Sequence, residues 1–231
     1  AWARATGAGG QLMSAPVITV DGPSGVGKGT ISKYLADALG WHYLDSGALY
    51  RVLGFAAIEA GIDLGDAEAL VELSRELQID FDSGARLDGK LVEDRIRSEQ
   101  AGEHASQVAR HAPVRAAMLD LQRNFSRPPG LVADGRDMGT TIFPGADYKF
   151  YLIADAEERA ERRYKPLLEK GQNGNIGALF QEIQQRDERD VNRKDSPLRP
   201  ADDAIIIDTT ELSIEAVLKK VKEQLPFAVT D

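Results

Sequence analysis

Residues 22–30, with the sequence Gly-Pro-Ser-Gly-Val-Gly-Lys-Gly-Thr, constrain this chain more than any other segment. They follow the apolar residues 17–20 and precede a helical pattern over residues 31–39. A glycine-rich loop between a strand and a helix, with the spacing G-x-x-x-x-G-K, is typical of a phosphate-binding loop. Glycines let the backbone approach phosphate closely, and the N–H groups at the helix start point toward it. Lys28 then adds a positive charge for the terminal phosphates; the alternative is a turn that only joins the two elements.

The residue after this lysine departs from the common pattern. Gly29 occupies the usual Ser/Thr position, and the hydroxyl comes one residue later, at Thr30. This order is typical of small nucleotide kinases, and it weakens the case for direct contact between Thr30 and magnesium.

Composition limits the class of protein. A chain of 231 residues with 42% hydrophobic residues supports one globular domain with small insertions. The net charge of −9 argues against a general binder of nucleic acid or anionic membranes, so any anion site must be a local cluster of Arg and Lys. The absence of cysteine excludes disulfides and thiolate metal sites, and no apolar run is long enough to span a membrane. We expect residues 1–12 to be a leader outside the fold.

Short apolar segments alternate with helical patterns, which favours an α/β fold with a parallel sheet covered by helices on both faces. Strands are predicted at residues 17–20, 41–44, 131–133, 149–153 and 204–207. Helices are predicted at residues 28–39, 48–60, 67–77, 105–125, 157–169, 176–191 and 214–224, the last capped by Ser213. Residues 79–96 look strand-like, and Asp88-Gly89 predicts a hairpin in a small antiparallel insertion over residues 62–102.

Two further segments lie at the carboxyl ends of predicted strands. Ligands of parallel α/β sheets bind at these ends. In residues 44–51, Ser46 and Arg51 are candidates for phosphate binding; the alternative is a helix start capped by Asp45 or Ser46. In residues 131–137, Asp134 resembles the Walker-B carboxylate that binds magnesium or its water shell, and Arg136 is placed to neutralise a transferred phosphoryl group. The alternative there is a structural turn containing an Arg–Asp pair.

Basic residues cluster in two groups near the carboxyl end. Arg186, Arg189, Asp190 and Arg193 have the spacing of one helix face. The second group contains Arg159, Arg162, Arg163 and Lys165. Residues 171–175 between the groups are rich in Gly and Asn, so the two helices are predicted to close over phosphates as a lid. A solvated face with surface salt bridges is the alternative.

Four segments in this order, residues 21–30, 44–51, 133–140 and 185–193, resemble the bacterial cytidylate kinases, a family of nucleoside monophosphate kinases. The resemblance covers residues 15–225. It implies transfer of a phosphoryl group from ATP to CMP or dCMP with Mg²⁺, within pyrimidine nucleotide metabolism. It also implies a five-stranded parallel sheet in the order 2-3-1-4-5, a monophosphate-binding insertion at about 62–102 and a helical lid at about 157–193. Core segments are then 15–61, 103–156 and 194–227 of a single domain, 13–231.

The resemblance also implies a set of site residues. Expected ATP contacts are Gly22, Pro23, Ser24, Gly25, Val26, Gly27, Lys28, Gly29, Thr30 and Arg162. Expected contacts to the CMP phosphate or sugar are Ser46, Arg51, Arg136, Arg186, Asp190 and Arg193, and those to cytosine are Ser106, Arg115 and Asp137. Catalysis is expected from Lys28, Arg136, Arg186 and Arg193, and Mg²⁺ contacts from Thr30 and Asp134 through water. We expect a cytoplasmic monomer with no nucleic-acid or membrane partner.

Three other functions remain open from the residues. A P-loop kinase for a sugar or shikimate would share the fold without needing Ser106, Arg115 and Asp137 for a pyrimidine. A GTPase-type switch would need an Asn-Lys-x-Asp motif, which the chain lacks. A non-catalytic nucleotide sensor would not need the second group of anion-binding residues.

Overall fold

A computed structural model describes residues 15–81, 84–169 and 175–226. The predicted leader and most of the predicted lid loop, residues 171–174, lie outside this range. The strands are β1 (Val17–Asp21), β2 (His42–Asp45), β3 (Ile79–Asp80), β4 (Arg86–Leu87), β5 (Lys90–Leu91), β6 (Leu131–Gly135), β7 (Tyr148–Ile153) and β8 (Ile205–Asp208). The α-helices are α1 (Lys28–Leu39), α2 (Ser46–Glu59), α3 (Ala67–Glu76), α4 (Glu93–Ile96), α5 (Glu99–Val108), α6 (Ala112–Arg123), α7 (Ala156–Glu169), α8 (Ile176–Val191) and α9 (Ile214–Lys222).

The central sheet is parallel and has the strand order β2-β6-β1-β7-β8. Counting only these five strands along the chain, the order is 2-3-1-4-5, which confirms the predicted topology. Strands β1 and β6 lie in the middle of the sheet, and every residue in both is buried. Such strands are apolar on both faces because helices cover both sides of a parallel sheet.

Alternate residues of the central strands enter two separate hydrophobic clusters. Ile18 and Val20 pack with residues of α1 and α9, such as Leu35 and Val221. Val17 and the other strand residues of its cluster pack against α2 and α6. This alternation follows from the two-residue period of a strand, which points successive side chains to opposite faces. Because β1 and β2 both run parallel to β6, the starts of α1 and α2, which follow them, lie at the same edge of the sheet.

The predicted single helix over residues 105–125 is wrong. The structure has α5 and α6 instead, separated at residues 109–111. Pro113 lies in the first turn of α6, where its missing N–H costs nothing. In a continuous helix its ring would clash with the carbonyl of Ala109, so the helix ends and restarts. Helix α5 begins at Glu99 because Ser98 caps it, accepting a hydrogen bond from the Ala101 N–H at 3.1 Å.

The predicted hairpin is confirmed, and it lies in a separate antiparallel sheet with the order β3-β4-β5. Asp88 and Gly89 have φ values of 50° and 75°, as a two-residue type I′ turn requires. The strand-like pattern does not extend through residues 79–96, because residues 93–96 form α4. Helices α7 and α8 pack on each other around their own cluster of Ala160, Leu179 and Ile183.

Candidate active site

A cleft of about 330 Å³ opens at the carboxyl ends of β1, β2 and β6. It is lined by residues from three of the predicted segments, together with residues of α5, α6 and the basic group at the end of α8. The predicted site residues on its wall are Ser24, Gly25, Gly27, Lys28, Gly29, Thr30, Ser46, Arg51, Ser106, Arg115, Asp134, Arg136, Asp137, Arg186 and Arg193. The fold therefore brings together side chains up to 169 positions apart, from Ser24 to Arg193.

The P-loop runs from β1 into α1 and has the geometry that its glycines predict. Gly25 and Gly27 have φ values of 84° and 94°, which favour glycine. At Gly22 (φ 145°), an added Cβ would lie 2.2 Å from the carbonyl oxygen of Leu152 in β7. Only glycine fits this close approach of the loop to the sheet. The loop's backbone N–H groups at the start of α1 are thereby available to phosphate oxygens.

Lys28 is the first residue of α1 and lies against the P-loop backbone. Its Nζ donates a hydrogen bond to the carbonyl oxygen of Pro23 at 2.8 Å. Burial and the positive charge of Arg136 lower the pKa of Lys28 to about 7, although the charge of Asp134 opposes this shift. The cation is therefore costly in the protein alone, and a phosphate anion would stabilise it.

Asp134 ends β6 beside the P-loop. Its Oδ2 accepts a hydrogen bond from the Tyr43 hydroxyl at 2.8 Å. A Cβ added at Gly29 would lie 3.4 Å from the same oxygen, so the carboxylate adjoins the start of α1. Burial and the charge of Asp45 raise the pKa of Asp134 to about 7, while Lys28 lowers it. The carboxylate and the Lys28 ammonium thus form an electrostatically linked pair at the floor of the cleft.

A cluster of arginines faces the P-loop. The Nε of Arg136 donates to Oδ2 of Asp190 at 2.6 Å, and Arg193 pairs with Oδ1 of the same carboxylate. Burial would raise the pKa of Asp190, but Arg136 and Arg193 hold it below its ordinary value. Burial and the charge of Arg136 lower the pKa of Arg186 to about 10, although the charge of Asp190 opposes the shift. Such a cluster is a site for a multivalent anion.

Ser46 and Arg51 lie on α2, opposite these arginines. The Ser46 hydroxyl donates to Oε1 of Gln122 at 2.8 Å, and Arg51 donates to the carbonyl oxygens of Ile96 and Ser98 at 2.7 and 3.1 Å. The alternative prediction for this segment, a capped helix start, is correct for Asp45. Asp45 caps α2 by accepting a hydrogen bond from the Ala48 N–H at 2.7 Å.

The three residues predicted to contact cytosine form the far end of the cleft. Arg115 and Asp137 face each other, with Nη2 and Oδ2 3.9 Å apart. Ser106 lies on the same wall, and its hydroxyl donates to the carbonyl oxygen of Gly102 at 3.0 Å. Burial raises the pKa of Asp137, although Arg115 opposes the shift. The arrangement offers a donor, an acceptor and a hydroxyl to the edge of a planar ring.

Not every predicted residue reaches the cleft wall. Gly22, Pro23 and Val26 of the P-loop do not line the cleft, and neither does Asp190, which pairs with Arg136. Arg162 donates to Glu158, Thr209 and Thr210, so the structure does not bring its guanidinium into the cleft.

Several residues of the site were missed by sequence reasoning. Arg159, three residues before Arg162, is buried and donates to the carbonyl oxygen of Ser24 in the P-loop at 3.1 Å. Arg97 lines the cleft and donates to Asp45 at 3.2 Å. Arg159 belongs to a basic group visible in the sequence, whereas nothing in the local pattern marks Arg97 or Tyr43.

The described residues lack two kinds of feature. They contain no group of three or more His, Cys, Asp or Glu side chains placed to bind a metal. No helix within the described ranges combines the length and apolar character needed to cross a membrane.

A P-loop that faces an arginine-lined anion site across one cleft, at the edge of a 2-3-1-4-5 sheet, defines the class of small-molecule P-loop kinases. A family model described as cytidylate kinase matches residues 18–226, and the chain belongs to that family. The cytidylate kinase of Nitrosomonas europaea is 50% identical over 210 residues, which is 90% of this chain and 94% of that protein. The cytidylate kinase of Pseudomonas aeruginosa PAO1 is 54% identical over 213 residues, 89% of this chain and 93% of that protein.

Among solved structures, the following kinase is more distant in sequence than these two relatives. A shikimate kinase from Bacteroides thetaiotaomicron is 17% identical and has a TM-score of 0.46, with 92% of this chain and 99% of that chain covered.

Proposed function

We propose that this protein transfers a phosphoryl group from ATP to CMP or dCMP, forming ADP and CDP or dCDP by direct in-line displacement. The observation that carries the proposal is the pairing of two anion sites, the P-loop with Lys28 and the cluster of Arg136 and Arg186, in one cleft. Two phosphate-bearing substrates need two such sites. Membership of the cytidylate kinase family supports the choice of acceptor.

The donor and acceptor phosphates would approach each other over Lys28 and Arg136. Phosphoryl transfer depends on alignment and charge neutralisation, with little covalent chemistry by the protein. Lys28 would contact the terminal phosphates of ATP, whose negative charge favours the protonated amine. Arg136 would neutralise the transferred group, and Arg186 and Arg193 would complete the catalytic set. Ser46, Arg51 and Asp190 would complete the contacts to the monophosphate and its sugar.

Cytosine would be recognised at the far end of the cleft. Its N4 amino group is a donor where uracil presents an O4 acceptor, so a carboxylate accepts from one base and repels the other. Asp137 would accept from N4, Arg115 would donate to the ring acceptors, and Ser106 would complete the edge. Their arrangement around one end of the cleft supports this assignment.

The donor set beside the P-loop fits Mg²⁺. This ion binds oxygen ligands and commonly combines one or two carboxylates and water with substrate phosphates. The Asp134 carboxylate and the exposed Thr30 hydroxyl lie on the same wall of the cleft. We propose that both hold Mg²⁺ through water, and the bound ion would neutralise phosphate charge. We also propose that the protein is a monomer, since one chain supplies every residue named. We propose further that it acts in the cytoplasm.

ADP release in a coupled assay tests the proposed acceptor. With ATP and Mg²⁺ fixed, the assay is run with CMP, dCMP, UMP, AMP, GMP, shikimate and gluconate. We expect the highest kcat/KM for CMP and dCMP. A higher value for another acceptor would contradict the proposed substrate, and ADP release that is independent of every acceptor would contradict the kinase reaction itself.

A further inference from the structure

Asp21 is a buried carboxylate between the P-loop and the predicted base site, and it lines neither. It ends β1 directly before Gly22, in register with Gly135 of β6. Its Oδ1 accepts a hydrogen bond from the Met138 N–H at 2.9 Å, and its Oδ2 accepts from the Gly139 N–H at 2.7 Å. Each of its oxygens is therefore bonded to the backbone just after Asp137.

These two N–H groups would otherwise lack partners. Met138 and Gly139 begin a π-helical turn, Met138–Ile142, and the first N–H groups of a helical turn have no acceptor within it. The residue before such a turn normally supplies one when it is Asp, Asn, Ser or Thr. Asp137 occupies that position, yet its side chain makes no capping hydrogen bond. Asp21 provides the cap from 117 and 118 residues earlier in the chain. The Asp137 carboxylate instead faces Arg115 and is hydrogen-bonded to the Ser196 side chain.

The contact needs a close approach of two backbone segments. A Cβ added at Gly139 would lie 2.9 Å from Oγ1 of Thr19 and 3.3 Å from Oδ2 of Asp21. Glycine therefore lets the turn reach the carboxylate. Burial raises the pKa of Asp21 to about 6, although the Gly139 and Met138 N–H groups oppose the shift. Burial of the ionised carboxylate costs free energy, and buried groups with such shifted pKa values are common at functional sites.

We propose that Asp21 is a positioning residue for base selection: by capping the turn at Met138, it keeps the Asp137 carboxylate directed at the nucleobase. This inference rests on the proposed function of Asp137. It also links the P-loop to the base site mechanically, since Asp21 and Gly22 are consecutive. Loss of the cap would let Asp137 turn back to bond its own helix start, as an aspartate in that position ordinarily does.

The test is a double-mutant cycle on the CMP/UMP ratio of kcat/KM. Asp21→Asn keeps the shape of the side chain but presents an amide with a single acceptor oxygen, so one N–H loses its partner. We expect Asp21→Asn to lower the ratio about tenfold, the effect of one buried hydrogen bond. In the Asp137→Asn background, where the discriminating carboxylate is already gone, Asp21→Asn should change the ratio less than about twofold.

Asp147→Asn is the matched control. Asp147 also accepts a backbone N–H of β1, that of Val17 at 2.9 Å, but at the opposite end of the strand. Its loss should leave the ratio unchanged. Circular dichroism and thermal unfolding check that each variant is folded. Should Asp21→Asn not fold, through-hydrogen-bond NMR coupling between the Gly139 amide nitrogen and Asp21 Cγ in the wild type tests the contact.

The outcomes separate the two proposals. If Asp137→Asn leaves the ratio at its wild-type value, the base contact in the proposed function is wrong. If Asp137→Asn lowers the ratio and a folded Asp21→Asn does not, the positioning role is overturned. Equal, additive losses from Asp21→Asn in both backgrounds would also overturn it, as would an absent NMR coupling.

Discussion

Lys28 combines a buried cation with a position at the start of α1, where phosphate binds. Because burial lowers its pKa to about 7, removing the amine costs the empty protein little stability. We expect Lys28→Ala to be folded but slower in turnover by about 10²-fold or more, as when another preorganised electrostatic group is deleted. Lys33→Ala, on the exposed face of the same helix, is the control. Steady-state kinetics check this, and wild-type activity in folded Lys28→Ala would remove the lysine from the mechanism.

Asp137 is the residue on which base choice should depend most directly. Replacement by Asn lets the amide rotate and donate to O4 of uracil instead of accepting from N4 of cytosine. We expect Asp137→Asn to lower the CMP/UMP ratio of kcat/KM by about 10- to 100-fold, the cost of a buried polar group facing the wrong base. ATP affinity should change little. Asp120→Asn, exposed on α6, controls for loss of a carboxylate, and a ratio unchanged by Asp137→Asn would point to a role in holding Arg115.

The raised pKa of Asp21 predicts how the free energy of unfolding depends on pH. Its pKa is raised from 3.8 in the unfolded chain to about 6 in the folded protein, so the folded state binds the extra proton between these values. The stability that this proton contributes is present below about pH 4 and is lost as the pH rises through about 6. Relative to Asp21→Asn, the wild type should lose on the order of 3 kcal/mol of unfolding free energy between pH 4 and 7.

Urea unfolding of both proteins across this range measures the difference. Lys28, Asp137 and Tyr151 interact electrostatically with Asp21 and are present in both proteins, so the comparison removes most of their own titration. Parallel pH profiles of the two unfolding free energies would contradict the raised pKa.

At the scale of elements, the predictable parts are those set by local sequence. The strand ends, the start of α1 and the Asp88-Gly89 turn follow from short patterns of apolar residues, glycine and caps. The break between α5 and α6 is not visible in the apolar spacing of residues 105–125, which suits one helix, and Pro113 is its local signal. The sequence does not distinguish Arg159 from Arg162, because two arginines three positions apart on one helix differ only in the neighbours that they contact. The bond from Asp21 to Met138 spans 117 residues and has no local signal.

Helices α7 and α8 are predicted to act as a lid. They pack around a cluster of their own. Arg159 of α7 pairs with Asp187 of α8 and donates to the P-loop carbonyl oxygen of Ser24. The arginines of the cleft repel one another until phosphate is present, which favours an open arrangement without ligand. Hydrogen exchange across residues 157–193 should slow when CMP and a non-hydrolysable ATP analogue are both bound. Unchanged exchange at confirmed saturation would contradict closure, and the α3 segment, residues 67–76, provides the internal control.

At the scale of the whole molecule, a chain with a net charge of −9 places six arginines around one cleft. The general negative charge disfavours non-specific anions, and the local cluster selects a ligand with several phosphates at the right spacing. The cleft is lined by residues from β-strand ends, from α2, α5 and α6 and from α8, so a ligand there joins parts that are far apart in sequence. Binding should therefore stabilise the fold as a unit.

Thermal unfolding with ligands tests this coupling. A ligand that binds only the folded state at 100 times its Kd adds about 2.7 kcal/mol, and in a domain of this size each kcal/mol raises Tm by about 2–4 °C. We expect CMP at that excess to raise Tm by about 5–10 °C, and CMP with a non-hydrolysable ATP analogue to raise it further. GMP at the same concentration should have a smaller effect, because its base offers the Asp137 and Arg115 pair a different edge. Arg136→Ala should abolish most of the CMP shift, since that arginine faces the phosphate common to both nucleotides. An equal shift for GMP and CMP would show that the cleft binds phosphate without selecting the base, and the assignment of Ser106, Arg115 and Asp137 would then be wrong.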